Sequence, residues 1–455
     1  MILNNLLNFI NNSYKFSKKK ISSLYLSSNI YNRKITSSII GSLEYYPSPS
    51  LLDVIIKYDK KKINIENYSL NKIWDNKKLQ EKDYKNLNSF FWLFSLDLKS
   101  SKKDTQNVIL QWISKNHRYD PKSWEVDMVA KRIIAWTSNS RLTYEDSDDD
   151  YKNKFNSVIK KQINHLINEI EGSERIDNKM IGCAAIILTG LAYQDKNGYL
   201  KTGVNLLRKL VKFSFDNDGF PKSRSIRQLC FYLKYFILIR EWFKESQSEI
   251  PDFINENIYY LGQAYAFSWQ NNKVDLFFNG NNETNNTDFD HYLKKLGYSF
   301  KNQINELGGY AVLNSKKTSL LMDIGSTPDK KFSSNYQSGA LSFEIISNGK
   351  KLICNSGYFQ NHNHQLNKIS KSSAVHSTLT LDDTSSCKFN KTKNKSSKIS
   401  HGLKILKKNI IFEKNYWKVN AAHDGYLKQY GVIHEREIEF YPEQIKFVGY
   451  DKILL

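Results

Sequence analysis

The sequence predicts a multidomain chain, α then β: a helical domain of antiparallel helix hairpins, followed by an all-β domain read as an antiparallel β-sandwich. Apolar residues recur at three- and four-residue steps from about Asp83 to about Trp269, and the period switches to two after about Gly308. Short breakers separate the helical runs, so consecutive helices are antiparallel neighbours stacked into a solenoid or closed ring.

The chain opens on MILNNLLNFINNSYKFSKKK. It has no positive start, Asn interrupts its apolar stretch, and its Lys cluster follows that stretch, so it does not read as an export signal. It reads as a short amphipathic helix that docks on the body of the protein in preference to a membrane surface. Within the helical part, Val126, Val129, Ala130, Ile133 and Ile134 share one face of the run Trp124 to Trp136. Leu200, Val204, Leu207 and Val211 repeat the device, and Ile226, Leu229, Leu233, Phe236 and Ile237 do so again. The breakers are Ser101 to Asp104, Asp146 to Asp150, Asp195 to Gly198, and Asp216 to Pro221.

The β part begins with Tyr310, Val312 and the run Ser319 to Ile324. Leu341, Phe343 and Ile345 alternate before Asn348-Gly349, a strong hairpin signal, and Lys351 to Cys354 forms the return strand. Further strand-like runs are Val375 to Leu381 (His376, Thr378 and Thr380 on one face), Ile410 to Phe412, Tyr416 to Val419, and Ile438 to Val448. Many short strands with turns between them argue a sandwich. The division is a docking segment over 1–40, a helical domain over 41–300 and a sandwich over 301–455, abbreviated where the strand pattern stops.

Composition narrows the class. At about 150 residues per domain, 455 residues make two or three domains. With 40% hydrophobic and 13% aromatic residues the chain is too apolar to be disordered. No run approaches the ~20 apolar residues of a membrane helix, which excludes an integral membrane segment. Cys183, Cys230, Cys354 and Cys387 lie far apart with no CxxC, so neither a disulfide scaffold nor a zinc ribbon is present. The net charge of +21 suits a polyanionic partner. Lys, Asn, Ile and Ser crowd the whole chain, however, as AT-rich codon bias would make them. Charge alone therefore names no partner, and a nucleic-acid role has no motif behind it.

Particular segments go further. Ser338-Gly-Ala-Leu-Ser-Phe-Glu344, Leu352-Ile-Cys-Asn-Ser-Gly357 and Ala374-Val-His-Ser-Thr-Leu379 resemble, in order and spacing, the C-terminal domain of heparinase II/III-like proteins. Ser89-Phe-Phe-Trp-Leu93, Val129-Ala-Lys-Arg-Ile-Ile-Ala-Trp136, and Asp218-Gly219 followed by Ser223-Arg-Ser225 resemble that family's toroid. Asp275-Leu-Phe-Phe-Asn-Gly280 resembles the segment joining the domains. The resemblance runs from roughly residue 40 to the end. It implies an incomplete α/α toroid over 41–300 before the antiparallel β-sandwich, and a carbon–oxygen lyase that eliminates across the glycosidic bond of a uronic-acid, possibly sulfated polysaccharide in the cleft between the domains, without a cofactor, in the cell envelope or periplasm. It says nothing of oligomeric state.

Elimination needs a base for the proton α to the uronate carboxyl, a group that neutralises the carboxylate, and an acid for the leaving oxygen. The resemblance implies His376 as base or positioning group, a residue that otherwise simply hydrogen-bonds a strand end. Arg224 falls where the family has an arginine, fit to clamp a carboxylate or to pair with Asp216 or Asp218. Asn178 lies where lyase relatives use an Asn against the uronate, although helix capping is the stronger reading there. The family tyrosine is missing: its register holds Arg227-Gln228, and Tyr232, the nearest substitute, sits on an apolar helical face with Tyr235, where core packing is the stronger reading. Gln337 replaces a family histidine, and Asn355 an aspartate of zinc-containing relatives. Amides are poor zinc ligands, so no metal is predicted; His362 and His364 read as a solvated loop. Arg227, Gln337 and Asn355 are read as substrate-binding. The missing Tyr and His leave a second class open, a non-catalytic relative that binds acidic polysaccharide or assists envelope glycan metabolism. A toroid hydrolase ranks far behind, because Asp148, Asp149 and Asp150 form an acidic turn that suits a helix dipole.

Overall fold

The computed structural model describes residues 20–36, 41–52, 74, 79–95, 102–194, 198–270, 273–283, 286–302, 304–315, 317–390 and 397–455. The docking helix read at the N-terminus and most of the breaker Asp195 to Gly198 lie outside the described residues. The chain forms two compact units, Met1–Leu210 with Ile237–Pro251, and Val211–Phe236 with Asp252–Leu455. Helices come first and antiparallel strands follow, in the predicted order.

The first unit contains α1 (Asn29–Thr36), α2 (Glu81–Ser89), α3 (Lys102–Asn116), α4 (Val126–Ser138), α5 (Asp149–Glu169) and α6 (Ile176–Ala192). The acidic turn does start a helix: Asp148 caps α5 by accepting the Tyr151 N–H at 2.7 Å, and Asp149 and Asp150 occupy its first turn. Phe90 ends α2 in the left-handed conformation and packs edge-on against Trp112 and Trp136. Arg132 on α4 is fully buried among them, 4.0 Å over the Trp112 ring. Its guanidinium donates to Gln162 Oε1, Asn88 O and Ser123 O, so side chain and backbone oxygens replace a carboxylate partner.

Two helices cross between the units, α7 (Tyr199–Ser214) and α8 (Ile226–Glu245); the second unit then adds α9 (Asp252–Tyr265) and α10 (Thr287–Lys295). Its strands are β1 (Glu306–Leu307), β2 (Tyr310–Asn314), β3 (Thr318–Asp323), β4 (Phe343–Ser347), β5 (Lys350–Ile353), β6 (Lys388–Phe389), β7 (Ile399–His401), β8 (Ile405–Phe412), β9 (Trp417–His423), β10 (Ile433–Tyr441) and β11 (Lys446–Leu454). They form a five-stranded sheet in order β1-β2-β3-β4-β5, a four-stranded sheet in order β11-β10-β9-β8, and a pair β6-β7. Alternate residues of the two larger sheets make one core: Ala311, Leu313, Leu320 and Met322 from the first, and Trp417, Val419, Ala421, Ile438 and Phe440 from the second. Asn348 and Gly349 both take positive φ, +48° and +75°, and turn β4 into β5 as expected.

Two strand readings are corrected. Ile438 to Val448 is not one run: β10 ends at Tyr441, Pro442 to Ile445 turn the chain, and β11 returns beside β10. Proline has no N–H for a ladder, which is why the run breaks there. Val375 to Leu381 is not a strand either. A single 3-10 turn, Ser373–Val375, leads into an irregular segment held by side chains, with Ser377 Oγ donating to Phe343 O and Thr378 Oγ1 to Ala340 O. Hydroxyls that bond backbone carbonyls compete with the sheet ladder.

Candidate functional site

The irregular segment brings His376 against Gln337. His376 Nε2 lies 3.3 Å from Ser370 O, and a carbonyl can only accept, so Nε2 carries the proton. Its Nδ1 has no hydrogen-bond partner and no solvent contact. Burial pushes the imidazole down to about pKa 4, only partly offset by the Ser370 carbonyl, and keeps the ring neutral at pH 7. Gly339 backs the ring: a Cβ built there would lie 3.4 Å from Nδ1. Gln337 ties three segments together. Its Oε1 accepts from Gly280 N, and its Nε2 donates to Gly357 O and to the same Ser370 O.

Asn355 completes this group. Its Oδ1 accepts from Ser377 N at 3.0 Å, next to His376, and its own N–H donates to Glu344 Oε1. Glu344 is fully buried and pairs with Lys351 at 3.1 Å, across the β4–β5 hairpin. Burial still pushes the Glu344 carboxyl above its ordinary value, against the pull of Lys351. Lys371 is buried nearby with backbone oxygens for partners, Ser334 O at 2.6 Å and Ser397 O at 2.8 Å. Desolvation lowers its pKa to about 7.

Arg224 serves a different task. All five guanidinium N–H groups are engaged: Nε with Gly308 O, Nη1 with Gly325 O and Ser326 O, and Nη2 with Gly309 O and Asp323 Oδ1. The pairing with Asp216 or Asp218 is thus corrected to Asp323, at 2.5 Å and buried on both sides. Asp216 instead accepts the N–H groups of Asp218 and Phe220 within its own turn. Burial opposes the Arg224 charge, but Asp323 beside it holds the guanidinium above its ordinary value. Gly309 and Gly325 leave the room: a Cβ on either would come within 2.8 Å of the guanidinium.

Another cluster, buried except for Asp451 at its edge, had no signal in the linear reading, because it depends on the β10–β11 pairing. Gly425 N donates to His423 Nδ1, so His423 Nε2–H faces His434 Nδ1 at 3.3 Å, and His434 Nε2–H donates to Asp451 at 2.7 Å. Register puts His434 opposite His423 and Arg436 opposite Asp451. Arg436 grips both Asp451 oxygens and donates through Nη1 to Leu341 O and Ser377 O, so it anchors the residue that follows His376.

The remaining predicted residues lie apart. The Tyr232 ring is 1% exposed and packs against Phe215 and Phe231, as a core residue does. Asn178 sits half-buried in the first turn of α6, but the cap position belongs to Arg175, so the capping reading does not hold. Arg227 is exposed in the first turn of α8. Gln337 and Asn355 are 1% and 2% exposed, which makes them interior network residues. Their amide oxygens already accept backbone N–H groups, and among the described residues no three His, Cys, Asp or Glu converge as a metal site. This donor set does not fit a zinc ion.

Residues 306–455 match the family description "Heparinase II/III-like, C-terminal". That stretch is similar to the C-terminal domain of heparinase II/III-like proteins. The likeness to heparinases extends through the helical part as well. A heparinase III crystal structure superposes with TM-score 0.64 at 17% identity, covering 90% of this chain and 71% of that one. A second heparinase III gives 0.66 at 16%, covering 89% and 70%. Heparan sulfate lyase HepC from Pedobacter heparinus gives 0.56 at 14%, covering 82% and 61%. At such identities the likeness establishes the fold, an incomplete α/α toroid followed by a β-sandwich. No curated protein sequence matches the chain. The matched range holds Gln337, Asn355 and His376, while Gly280, which donates to Gln337, and Arg224, which donates to Gly325 O, lie outside it. Among the described residues no helix is long and apolar enough to cross a membrane.

Proposed function

We propose that this protein is a polysaccharide lyase-like protein that takes an acidic, uronic-acid glycan and cleaves it by β-elimination, with His376 as the base. In this reading the toroid spans 41–300 and the sandwich 301–455. The observation that carries it is the His376 ring: neutral, fixed in one tautomer by Ser370, with an Nδ1 lone pair that nothing in the protein uses. A base for a carbon acid needs that state. Burial makes the ring a weak base on its own, and a bound carboxylate close by would raise it. The proton on C5 would pass to Nδ1, its electron pair would form the C4–C5 double bond of an unsaturated uronate as the C4–O bond breaks, and the leaving oxygen would take a proton from water. Arg224 has no donor left for the substrate carboxylate, so the exposed Arg227 is the guanidinium assigned to it.

A second reading has its own support. Tyr232 is locked in the core and His376 Nδ1 is sealed from solvent, which favours a non-catalytic relative that binds acidic polysaccharide. Ultraviolet absorbance of an unsaturated uronate product separates the two, measured against heparin, heparan sulfate, chondroitin, hyaluronan, alginate and oligouronates. A rising signal with one of them establishes elimination. A flat panel with salt-sensitive binding to the same polymers establishes the second reading.

A further inference from the structure

Phe213, at the end of α7, is 42% exposed. It packs against Phe332 with ring centres 5.1 Å apart, and Lys331 Nζ stands 4.9 Å from the Phe213 ring centre. Lys222 Nζ reaches the carbonyls of Lys212 and Phe213 at 3.1 and 3.3 Å, which fastens the lysine beside the ring at the negative end of the helix. Lys212 and Lys330, the sequence neighbours of Phe213 and Lys331, are exposed as well. None of these four lysines is ion-paired among the described residues. The nearby carboxylate of Asp216 is engaged by its own turn, while Asp218 and Asp329 remain as the acidic neighbours.

An exposed ring with the Lys331 and Lys222 ammonium groups beside it, neither of them ion-paired among the described residues, matches the two-sided chemistry of an acidic sugar. The C–H face of a pyranose is apolar and suits an aromatic ring, and its carboxylate or sulfate suits a lysine. The patch also lies on the chain segments that reach the candidate site. The 3-10 helix Lys330–Asn335 continues into Gln337, and its Ser334 carbonyl receives Lys371 Nζ. On the other side, the turn after Phe213 returns through Lys222 to Arg224, with Lys222 N donating to Ser214 O.

We infer that Phe213 and Lys331, with Lys212, Lys222 and Lys330 around them, form a subsite for one acidic sugar unit of the glycan. The inference deepens the proposed function and rests on it. Calorimetric binding of a size-defined heparin oligosaccharide and an oligogalacturonate to the full chain tests it. Phe213→Ala, which leaves the charge untouched, and Lys331→Ala should each weaken binding roughly three- to tenfold, and Phe213→Trp should retain it. Lys331→Ala should also reduce the salt dependence. Thermal melting checks that each variant is folded; if Phe213→Ala is not, the exposed Lys331 decides alone. Wild-type affinity in the folded variants overturns the subsite and leaves the proposed function standing. A wild-type chain that binds neither polymer overturns both.

Discussion

His376 and Gln337 donate to one and the same acceptor, the Ser370 carbonyl, at 3.3 and 2.6 Å. The carbonyl has two lone pairs, so both bonds can form together, and each orients the other's donor. The shared acceptor fixes the histidine tautomer and explains why a neutral amide can occupy the Gln337 position.

Gln337→Glu is the sharpest test of that network. A carboxylate cannot donate to Gly357 O or Ser370 O, and it would be buried without a cation. The variant should lose about 1–3 kcal/mol or more in urea unfolding at neutral pH. Part of the loss should return in acid, where the new carboxyl is protonated. An unchanged unfolding midpoint would remove Gln337 from the network.

His376→Ala should abolish product formation on any polymer that the wild type cleaves, by about 10²-fold or more for a lost general base. Turnover that survives the substitution would move the base elsewhere. His376→Gln keeps a donor for Ser370 while removing the basic nitrogen, so it separates positioning from proton transfer.

Arg224→Ala should act on stability. It strips five hydrogen bonds and leaves Asp323 buried without its cation, a change that costs about 3–5 kcal/mol for buried pairs. Chemical denaturation reads the loss, and Arg224→Lys should recover little of it because one ammonium cannot reach all five acceptors. Glycan affinity measured on the folded fraction should stay at the wild-type level. A selective loss of affinity at unchanged stability would return Arg224 to the substrate.

These outcomes separate what could be read along the chain from what could not. The switch of period at Gly308 and the Asn348-Gly349 turn were legible because both are local patterns. The motif that holds His376 was legible as a sequence resemblance, yet its backbone was misread as a strand, since Ser377 and Thr378 bond across the segment instead of along a ladder. Arg224 could be picked out, but its partner, Asp323, lies 99 residues away, and no spacing rule reaches that far. The His423–His434–Asp451 chain was hidden for a related reason. Reading Ile438 to Val448 as one strand hid the hairpin that places Asp451 opposite Arg436.

Zinc analysis tests the amide set directly. The purified chain, dialysed against a weak chelator, should retain no stoichiometric zinc, because Gln337 and Asn355 present neutral oxygens already bonded to N–H groups. Stoichiometric zinc would overturn that reading.

Acid sensitivity follows from the buried imidazoles. Burial lowers His165 and His376 to about pKa 4 and His423 to about 3, with His434 and Arg436 adding to the last. In the unfolded chain each titrates near 6.5. Between 6.5 and those values the unfolded state binds protons that the native state does not, so stability rises with pH. The stability that these histidines contribute is therefore fully present above about 6.5 and is lost as pH falls toward 4, by up to about 1.4 kcal/mol per pH unit for each histidine. The raised Glu344 carboxyl works in the opposite direction, and the depressed Asp451 acts only below its ordinary range near 3.9. Urea melts at pH 7.5, 6.5, 5.5 and 5.0 should show the decline, and His376→Gln should make it shallower by about one histidine's share. A stability profile flat from 7.5 to 5.0 would mean that these rings are hydrated in the native state, and the base proposed at His376 would lose the burial that keeps it neutral.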